Sequence, residues 1–212
     1  MTLEAANPSP LLRASAAVPL IHPRWVRITH WINALAVLMM IGSGWQIYDA
    51  SPLFSVISFP REFALGEWLA GALLWHFAAM WLLVVNGIVY VALGFWTGRF
   101  RQKFFPISPR EVIHDLAAAL HGRLSHDDLT VYNAVQRLLY VGVILAGIVI
   151  VLSGLSIWKP VQLKWLTALF GGYDAARYVH FFAMSSIVAF LTIHVALALI
   201  VPKSLRAMII GR

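Results

Sequence analysis

Four long stretches without a charged residue are the strongest constraint on the fold of this chain. No Asp, Glu, Lys or Arg occurs in 28–48, 68–98, 138–158 or 178–202. Each stretch exceeds the roughly 18 mostly apolar residues that mark a membrane-spanning helix. The sequence therefore predicts an all-α membrane protein, a bundle of four spanning helices at about 28–48, 66–96, 132–158 and 174–201.

The other segments divide into a tail, short loops and one longer polar loop. The tail, 1–21, has too short an apolar run for a signal peptide, so we expect it to remain uncleaved. It should precede a single membrane domain at 22–212. In the long loop, Ser108-Pro109-Arg110-Glu111 has the pattern of a helix start. Apolar residues then recur every four positions, which predicts a short amphipathic helix on the membrane surface: Val112, Leu116, Leu120 and Leu124. No internal repeat is evident by inspection.

The placement of basic residues indicates the orientation of the chain. If both termini lie on one side, that side carries 12 of the 16 Lys and Arg residues and the other side carries 4. Basic loops stay in the cytoplasm, so both termini are predicted to be cytoplasmic. The net charge of +7 is then explained by topology and by contact with anionic membrane lipids. No nucleic-acid motif is present, and no nucleic-acid partner is predicted.

Four of the eight histidines lie inside the predicted spans. An ionisable side chain in hydrocarbon is costly and usually marks function. His180 and His194 are fourteen residues apart on one helix, so they point to nearly the same face about 21 Å apart. His30 lies at the depth of His194, and His76 lies at that of His180. Two pairs across the bilayer are predicted, His30 with His194 on the inner side and His76 with His180 on the outer side.

Such facing pairs suit a haem iron, which takes two axial nitrogens from opposite faces of the macrocycle. Imidazole also binds other transition metals, but the apolar surroundings, with no carboxylate in the spans, favour haem. Cysteine is absent, so covalent haem attachment and Cys-held clusters are excluded and two haem b groups are predicted. Two histidine ligands leave no open position for oxygen, which indicates electron transfer. The alternative for each histidine is a neutral ring hydrogen-bonded to a neighbouring helix.

Three further residues are candidates to contact the haems. Arg27 and Arg177 each precede a histidine by one helical turn, where a guanidinium can pair with a haem propionate. The alternative for each is an arginine that extends to the membrane surface from a helix end. Gly44 lies fourteen residues after His30, where a glycine lets a flat ring approach the helix. Small residues also pack helices together without any haem.

These segments resemble the bacterial cytochrome b561 and nickel–iron hydrogenase cytochrome b family, which includes the membrane gamma subunit of formate dehydrogenase. The resemblance covers about 22–212. It rests on four segments, 27–31, 132–137, 153–160 and 177–212, which read RITHW, YNAVQR, SGLSIWKP and, from Arg177-Tyr178, through both histidines of the last span to MIIGR.

The resemblance implies a di-haem subunit of the bacterial inner membrane that moves electrons between a periplasmic partner and quinone. The partner would be a molybdopterin oxidoreductase or a hydrogenase. The quinone would bind beside the inner haem, with Asn133 and Gln136 as candidates to hydrogen-bond a quinone carbonyl. The alternative for these two residues is a helix cap and an interfacial polar residue.

Two other functions remain open at this point. A stand-alone cytochrome of the same fold could oxidise superoxide and reduce quinone, guided by cations on the outer side. The outer side carries Arg61, Lys159, Lys164 and Arg177. A non-catalytic membrane anchor, or a transporter whose histidines relay protons or bind a metal ion, is the third function.

Overall fold

The computed structural model describes residues 20–121 and 131–212, and within these ranges every regular element is helical. Residues 1–19 of the predicted tail and Leu124 lie outside them. A short 3-10 helix, Arg61–Phe63, follows the first long helix. The α-helices are α1 (Arg24–Ala50), α2 (Leu69–Trp96), α3 (Arg99–Phe104), α4 (Pro109–Leu120), α5 (Ala134–Trp158), α6 (Lys164–Leu169), α7 (Tyr173–Ile200) and α8 (Pro202–Ile210).

Four of these helices, α1, α2, α5 and α7, are long and apolar enough to cross a membrane. Each has 25 to 28 residues and so exceeds the roughly 20 that a bilayer crossing needs. The prediction of an all-α integral membrane protein with four spanning helices is confirmed.

The helix starts differ from the predicted ones for local reasons. The second helix begins at Leu69 instead of about 66, because Gly66 and Glu67 have φ angles of 110° and 59°. Those left-handed conformations end a regular helix. The third spanning helix begins at Ala134, after Asn133 as its N-cap. The first spanning helix begins at Arg24, earlier than the predicted 28, and Pro23 is its N-cap.

The spanning helices pack as two pairs, α1 with α2 and α5 with α7, and contacts between the two pairs are few. Small side chains allow close approach in the first pair, where Ala36, Gly42, Ala72 and Ala79 are buried. Asn86 of α2 joins the pair with two hydrogen bonds, donating to the Thr29 carbonyl at 2.8 Å and to Asn33 Oδ1 at 2.7 Å. The narrow space between the pairs is where the histidines lie.

The bundle has two distinct ends. The near end is where α1 and α5 begin, and the far end is where α2 and α7 begin. The near end also carries α3, α4 and α8. The predicted amphipathic helix corresponds to α4, with Ile113 and Leu116 exposed. Asp115 of α4 accepts a hydrogen bond from the Ala134 N–H at 2.8 Å, which connects α4 to the start of α5.

Candidate functional site

The structure brings the four span histidines together in the two predicted pairs. The near pair is His30 of α1 and His194 of α7, with ring centroids 6.0 Å apart. The far pair is His76 of α2 and His180 of α7, with ring centroids 6.5 Å apart. Each histidine pair thus has one ring from the α1–α2 pair and one from the α5–α7 pair, at one end of the bundle.

Both separations fit an iron held between two imidazoles. Two imidazole nitrogens at about 2 Å from a metal, the usual distance in proteins, hold the ring centroids about 6 Å apart. Across residues 20–121 and 131–212, no group of three His, Asp or Glu side chains converges as a metal-ion site requires. Two facing ligands and no third suit a haem, whose macrocycle supplies the remaining ligands of the iron.

Serine side chains contact the ring nitrogens of the far pair. Ser43 Oγ lies 2.9 Å from His76 Nδ1, and Ser153 Oγ lies 3.1 Å from His180 Nδ1. Both serines are fully buried, with 0% of their surface exposed. The Ile150 carbonyl lies 3.1 Å from His180 Nδ1 as well. A carbonyl can only accept, so this nitrogen carries the proton and Nε2 is free to bind a metal.

A glycine follows each of these serines and faces the same imidazole. A Cβ added at Gly44 would lie 3.6 Å from His76 Cε1, which is ordinary contact. A Cβ added at Gly154 would lie 3.1 Å from His180 Cε1, which is tight. Gly44, the residue predicted to face a haem, therefore packs against a histidine ring, and its contact with a haem stays a prediction. The need for a small residue is stronger at Gly154.

One histidine of the near pair, His194, lines a cavity of about 150 Å³. It is lined by apolar residues and by polar side chains from four segments: His22, Tyr132, Asn133, Gln136, Tyr140, His194 and Ser204. Burial raises the pKa of Tyr132, so its hydroxyl stays protonated well above neutral pH. The cavity thus offers hydrogen-bonding groups beside one imidazole of the near pair.

Asn133 and Gln136 form a reciprocal cap at the start of α5. Asn133 Oδ1 accepts from the Gln136 N–H at 2.8 Å, and Gln136 Oε1 accepts from the Asn133 N–H at 3.1 Å. This capping box was the alternative to a quinone contact, yet both side chains also line the cavity. The cap uses their oxygens, so both amide NH2 groups remain as donors. Capping of α5 and donation of a hydrogen bond into the cavity are therefore compatible.

His22 belongs to the site although the sequence offered no reason to single it out. Its side chain is 8% exposed, and its Nδ1 lies 3.3 Å from the Nη2 of Arg99. Arg99 is 77 residues away in sequence, so no local pattern links the two. Burial, and then the charge of Arg99, lowers the pKa of His22 to about 4. Arg99 donates to Nδ1, so the neutral ring carries its proton on Nε2.

The two arginines predicted to bind propionates have different surroundings. Arg27 Nη1 donates to the Ile209 carbonyl at 2.6 Å, while its Nε is buried and has no partner among the described residues. An unpaired buried N–H is costly, so a carboxylate from a bound haem would fit there. Arg177 Nη2 donates to the Ser51 carbonyl at 2.5 Å and to its hydroxyl at 3.2 Å, which connects the ends of α1 and α7. Propionate binding by either residue stays a prediction.

Contrary to the expectation of no internal repeat, a short repeat is present, and it marks the two serines. Residues 43–48 read SGWQIY and residues 153–158 read SGLSIW, with Ser-Gly, Ile and an aromatic residue in common. Residues 76–80 read HFAAM and residues 180–184 read HFFAM. The two helix pairs are thus related copies at the far end. The near pair does not follow this repeat, because positions 90 and 140, which correspond to 194 and 30, are tyrosines.

Comparison with known proteins gives two findings. A family model described as prokaryotic cytochrome b561 matches residues 21–211. A protein of Azospira oryzae is 55% identical over 191 residues, which cover 90% of this chain and 96% of the relative. That relative carries the provisional name protein-methionine-sulfoxide reductase subunit YedZ1.

Proposed function

The chain belongs to the prokaryotic cytochrome b561 family, and we propose that it carries electrons across a bilayer between a periplasmic oxidoreductase and the quinone pool. The observation that carries this proposal is the presence of two facing imidazole pairs at opposite ends of one spanning bundle. Membership of the family implies binding of haem b. Two haems per chain, one at each pair, are part of the proposal.

The residues of the chain have distinct roles in this proposal. His30 and His194 hold one iron, and His76 and His180 hold the other. A haem with two imidazole ligands supplies a reversible one-electron centre without an open position for oxygen. Arg27 and Arg177 are the candidates for the propionates at the two ends. The buried Nε of Arg27 supports the first of these, since it lacks a partner among the described residues.

We further propose that the near end faces the cytoplasm of a bacterium and the far end faces the periplasm. The excess of basic residues in the near-end segments supports this orientation. It also gives α4 a place on the inner membrane surface, because two of its large apolar side chains, Ile113 and Leu116, are exposed.

The proposed quinone site is the near-end cavity beside His194. Asn133 and Gln136 would donate from their amide NH2 groups to a quinone oxygen, because their own oxygens already cap α5. The position of the cavity next to one imidazole of the near pair supports electron exchange there. Its hydrogen-bonding side chains would orient the quinone head group.

The partner we propose is a subunit that reduces sulfoxides, because the Azospira relative is named as a subunit of a methionine-sulfoxide reductase. This proposal narrows the choice of partner, which the sequence left between a molybdopterin oxidoreductase and a hydrogenase. Reduction of a sulfoxide to a thioether consumes two electrons and two protons and releases water, whereas oxidation of a quinol releases two electrons and two protons. Electrons would therefore flow from quinol at the near end to the partner at the far end, opposite to flow into the quinone pool.

A redox spectrum of the purified chain tests the proposal. We expect b-type absorbance from two haems per chain, and anaerobic addition of a water-soluble quinol analogue should reduce it. Absence of b-type absorbance would overturn the electron-transfer function and leave the anchor or transporter function. Haem that the quinol does not reduce would contradict the quinone site.

Superoxide distinguishes the stand-alone alternative. A cytochrome that oxidises superoxide needs an excess of positive charge near its outer centre to attract the anion. The far-end segments carry as many carboxylates as cations, namely Asp49, Glu62, Glu67 and Asp174 against Arg61, Lys159, Lys164 and Arg177. We expect superoxide to reduce the purified chain much more slowly than the quinol analogue does. Rapid reduction by superoxide, with electrons passed on to quinone, would favour the alternative.

A further inference from the structure

The two far histidines each have a hydrogen-bond partner at one ring nitrogen, Nδ1. His76 and His180 each direct Nδ1 at a buried serine hydroxyl, at 2.9 Å and 3.1 Å. Each serine lies on the helix that packs against the helix of the histidine, α1 against α2 and α5 against α7. Each histidine is thus held within its own helix pair.

The direction of these hydrogen bonds follows from the other contacts of the serines. Ser43 Oγ donates to the Met39 carbonyl at 2.7 Å, and Ser153 Oγ donates to the Val149 carbonyl at 2.8 Å. Each hydroxyl proton is therefore used within its own helix, and the lone pairs of the oxygen can accept. The imidazole Nδ1–H is the donor in both cases. At His180, the nearby Ile150 carbonyl requires the same assignment.

We propose that Ser43 and Ser153 are positioning residues that hold His76 and His180 with Nε2 free for the iron and that lower the reduction potential of the far haem. This inference rests on the proposed function, since it takes His76 and His180 as the ligands of that haem. An acceptor at the outer nitrogen of a ligating histidine fixes its tautomer and ring orientation and makes it more basic. A more basic ligand stabilises the oxidised iron.

The near pair lacks this arrangement. Within residues 20–121 and 131–212, no hydrogen bond to a ring nitrogen of His30 or His194 occurs. Their ring neighbours are aromatic instead, with Trp31 edge-on to His30 at 5.3 Å and Phe190 stacked on His194 at 5.5 Å. The serine effect should therefore be confined to the far haem.

Removal of the hydroxyls tests the inference with the whole haem-loaded protein. Ser43→Ala, Ser153→Ala and the double variant are titrated by redox potentiometry, and the far haem is identified by its loss in His180→Ala. We expect each single variant to raise the midpoint potential of the far haem, the double variant to raise it further, and the near haem to stay unchanged. The shift at His180 alone is limited by its remaining Ile150 contact.

Ser156→Ala is the matched control. Ser156 lies three residues after Ser153 on α5 and is also 0% exposed, but its hydroxyl has no partner among the described residues. It should leave both potentials unchanged. Ser43→Thr keeps a hydroxyl and should restore the potential towards that of the wild type, which a loss of packing alone would not explain.

The outcomes separate this inference from the proposed function. A wild-type chain without haem would overturn the proposed function itself. Two haems with unchanged potentials in the double variant would overturn only the serine inference. If the alanine variants lose the far haem while Ser43→Thr retains it, the hydroxyl is required to hold the histidine, which supports its positioning role. If Ser43→Ala and Ser43→Thr lose it alike, packing volume is responsible and the inference is wrong.

Discussion

The two histidine pairs have similar ring separations but different surroundings. The far pair is enclosed by a repeated Ser-Gly segment, and both of its Nδ1 atoms have hydrogen-bond partners on neighbouring helices. In the near pair, His194 lines a cavity with amide, hydroxyl and imidazole groups from separate segments. If the proposed function is right, the far site would hold a fixed electron carrier, while the near site has a cavity where a quinone could exchange protons as well as electrons.

Removal of single ligands should give the largest effect and should separate the two ends. His76→Ala and His30→Ala are each expected to lose one haem and to retain the other, because in the proposed function each pair supplies both axial ligands of one iron. Haem content per chain and a redox titration measure this, because the two variants should lack haems of different midpoint potential. His114→Ala is the control, since that histidine lies on α4 with its side chain 84% exposed. Retention of both haems in either ligand variant would contradict the pairing.

The amide groups near His194 should affect quinone use without loss of the cap. Gln136→Glu keeps an oxygen that can accept from the Asn133 N–H, but it lacks the NH2 donor. Loss of one hydrogen bond worth about 1.5 kcal/mol should raise the KM for a quinol analogue about tenfold. Steady-state kinetics with the haem-loaded protein measures this.

Asn133→Ala is the comparison for that effect, because it removes the cap as well. It should cost about 1 kcal/mol of stability, seen as a lower Tm, whereas Gln136→Glu should leave the Tm almost unchanged. An unaltered KM in both variants would mean that these residues only cap α5.

The smallest expected effect is the pH dependence that His22 gives to the near end. The pKa of His22 is about 4 in the folded protein, below the 6.5 of an unperturbed histidine. Between these values the unfolded chain takes up a proton that the folded chain does not, so stability is lost as the pH falls from 6.5 to 4. Thermal unfolding of the haem-loaded protein should therefore show a lower Tm at the acid end of this pH range.

His22→Gln should lack that part of the pH dependence and should leave the potential of the far haem unchanged. The same acid-induced fall in Tm in this variant would show that another group is responsible. A changed far potential would show that the two ends are not independent.

The spanning helices and the histidine pairs were predictable for a simple reason. Charged residues are excluded from hydrocarbon, so their absence marked the spans within a few residues. The fixed rise of an α-helix then placed His180 and His194 at two depths. The helix starts were less certain, because the left-handed backbone at Gly66 and Glu67 has no clear signature in an apolar segment.

Other parts of the site depend on contacts between distant segments. His22 lies in the cavity because Arg99 of α3 and the Gly211 carbonyl hold its segment, and both are remote in sequence. Asn133 and Gln136 follow a local capping pattern, yet only the packing of α5 against α7 makes them line the same cavity as His194.

The sequence by itself determined four helices, their depth in the membrane and the histidines available at each end, because hydropathy and helical periodicity are local properties. Only the tertiary structure decided which groups surround each histidine, since that depends on how helices far apart in sequence approach one another. It paired Ser43 with His76 and Ser153 with His180, and it brought His22 to the cavity that His194 also lines. The two ends differ for that reason, although each offers the same pair of imidazoles.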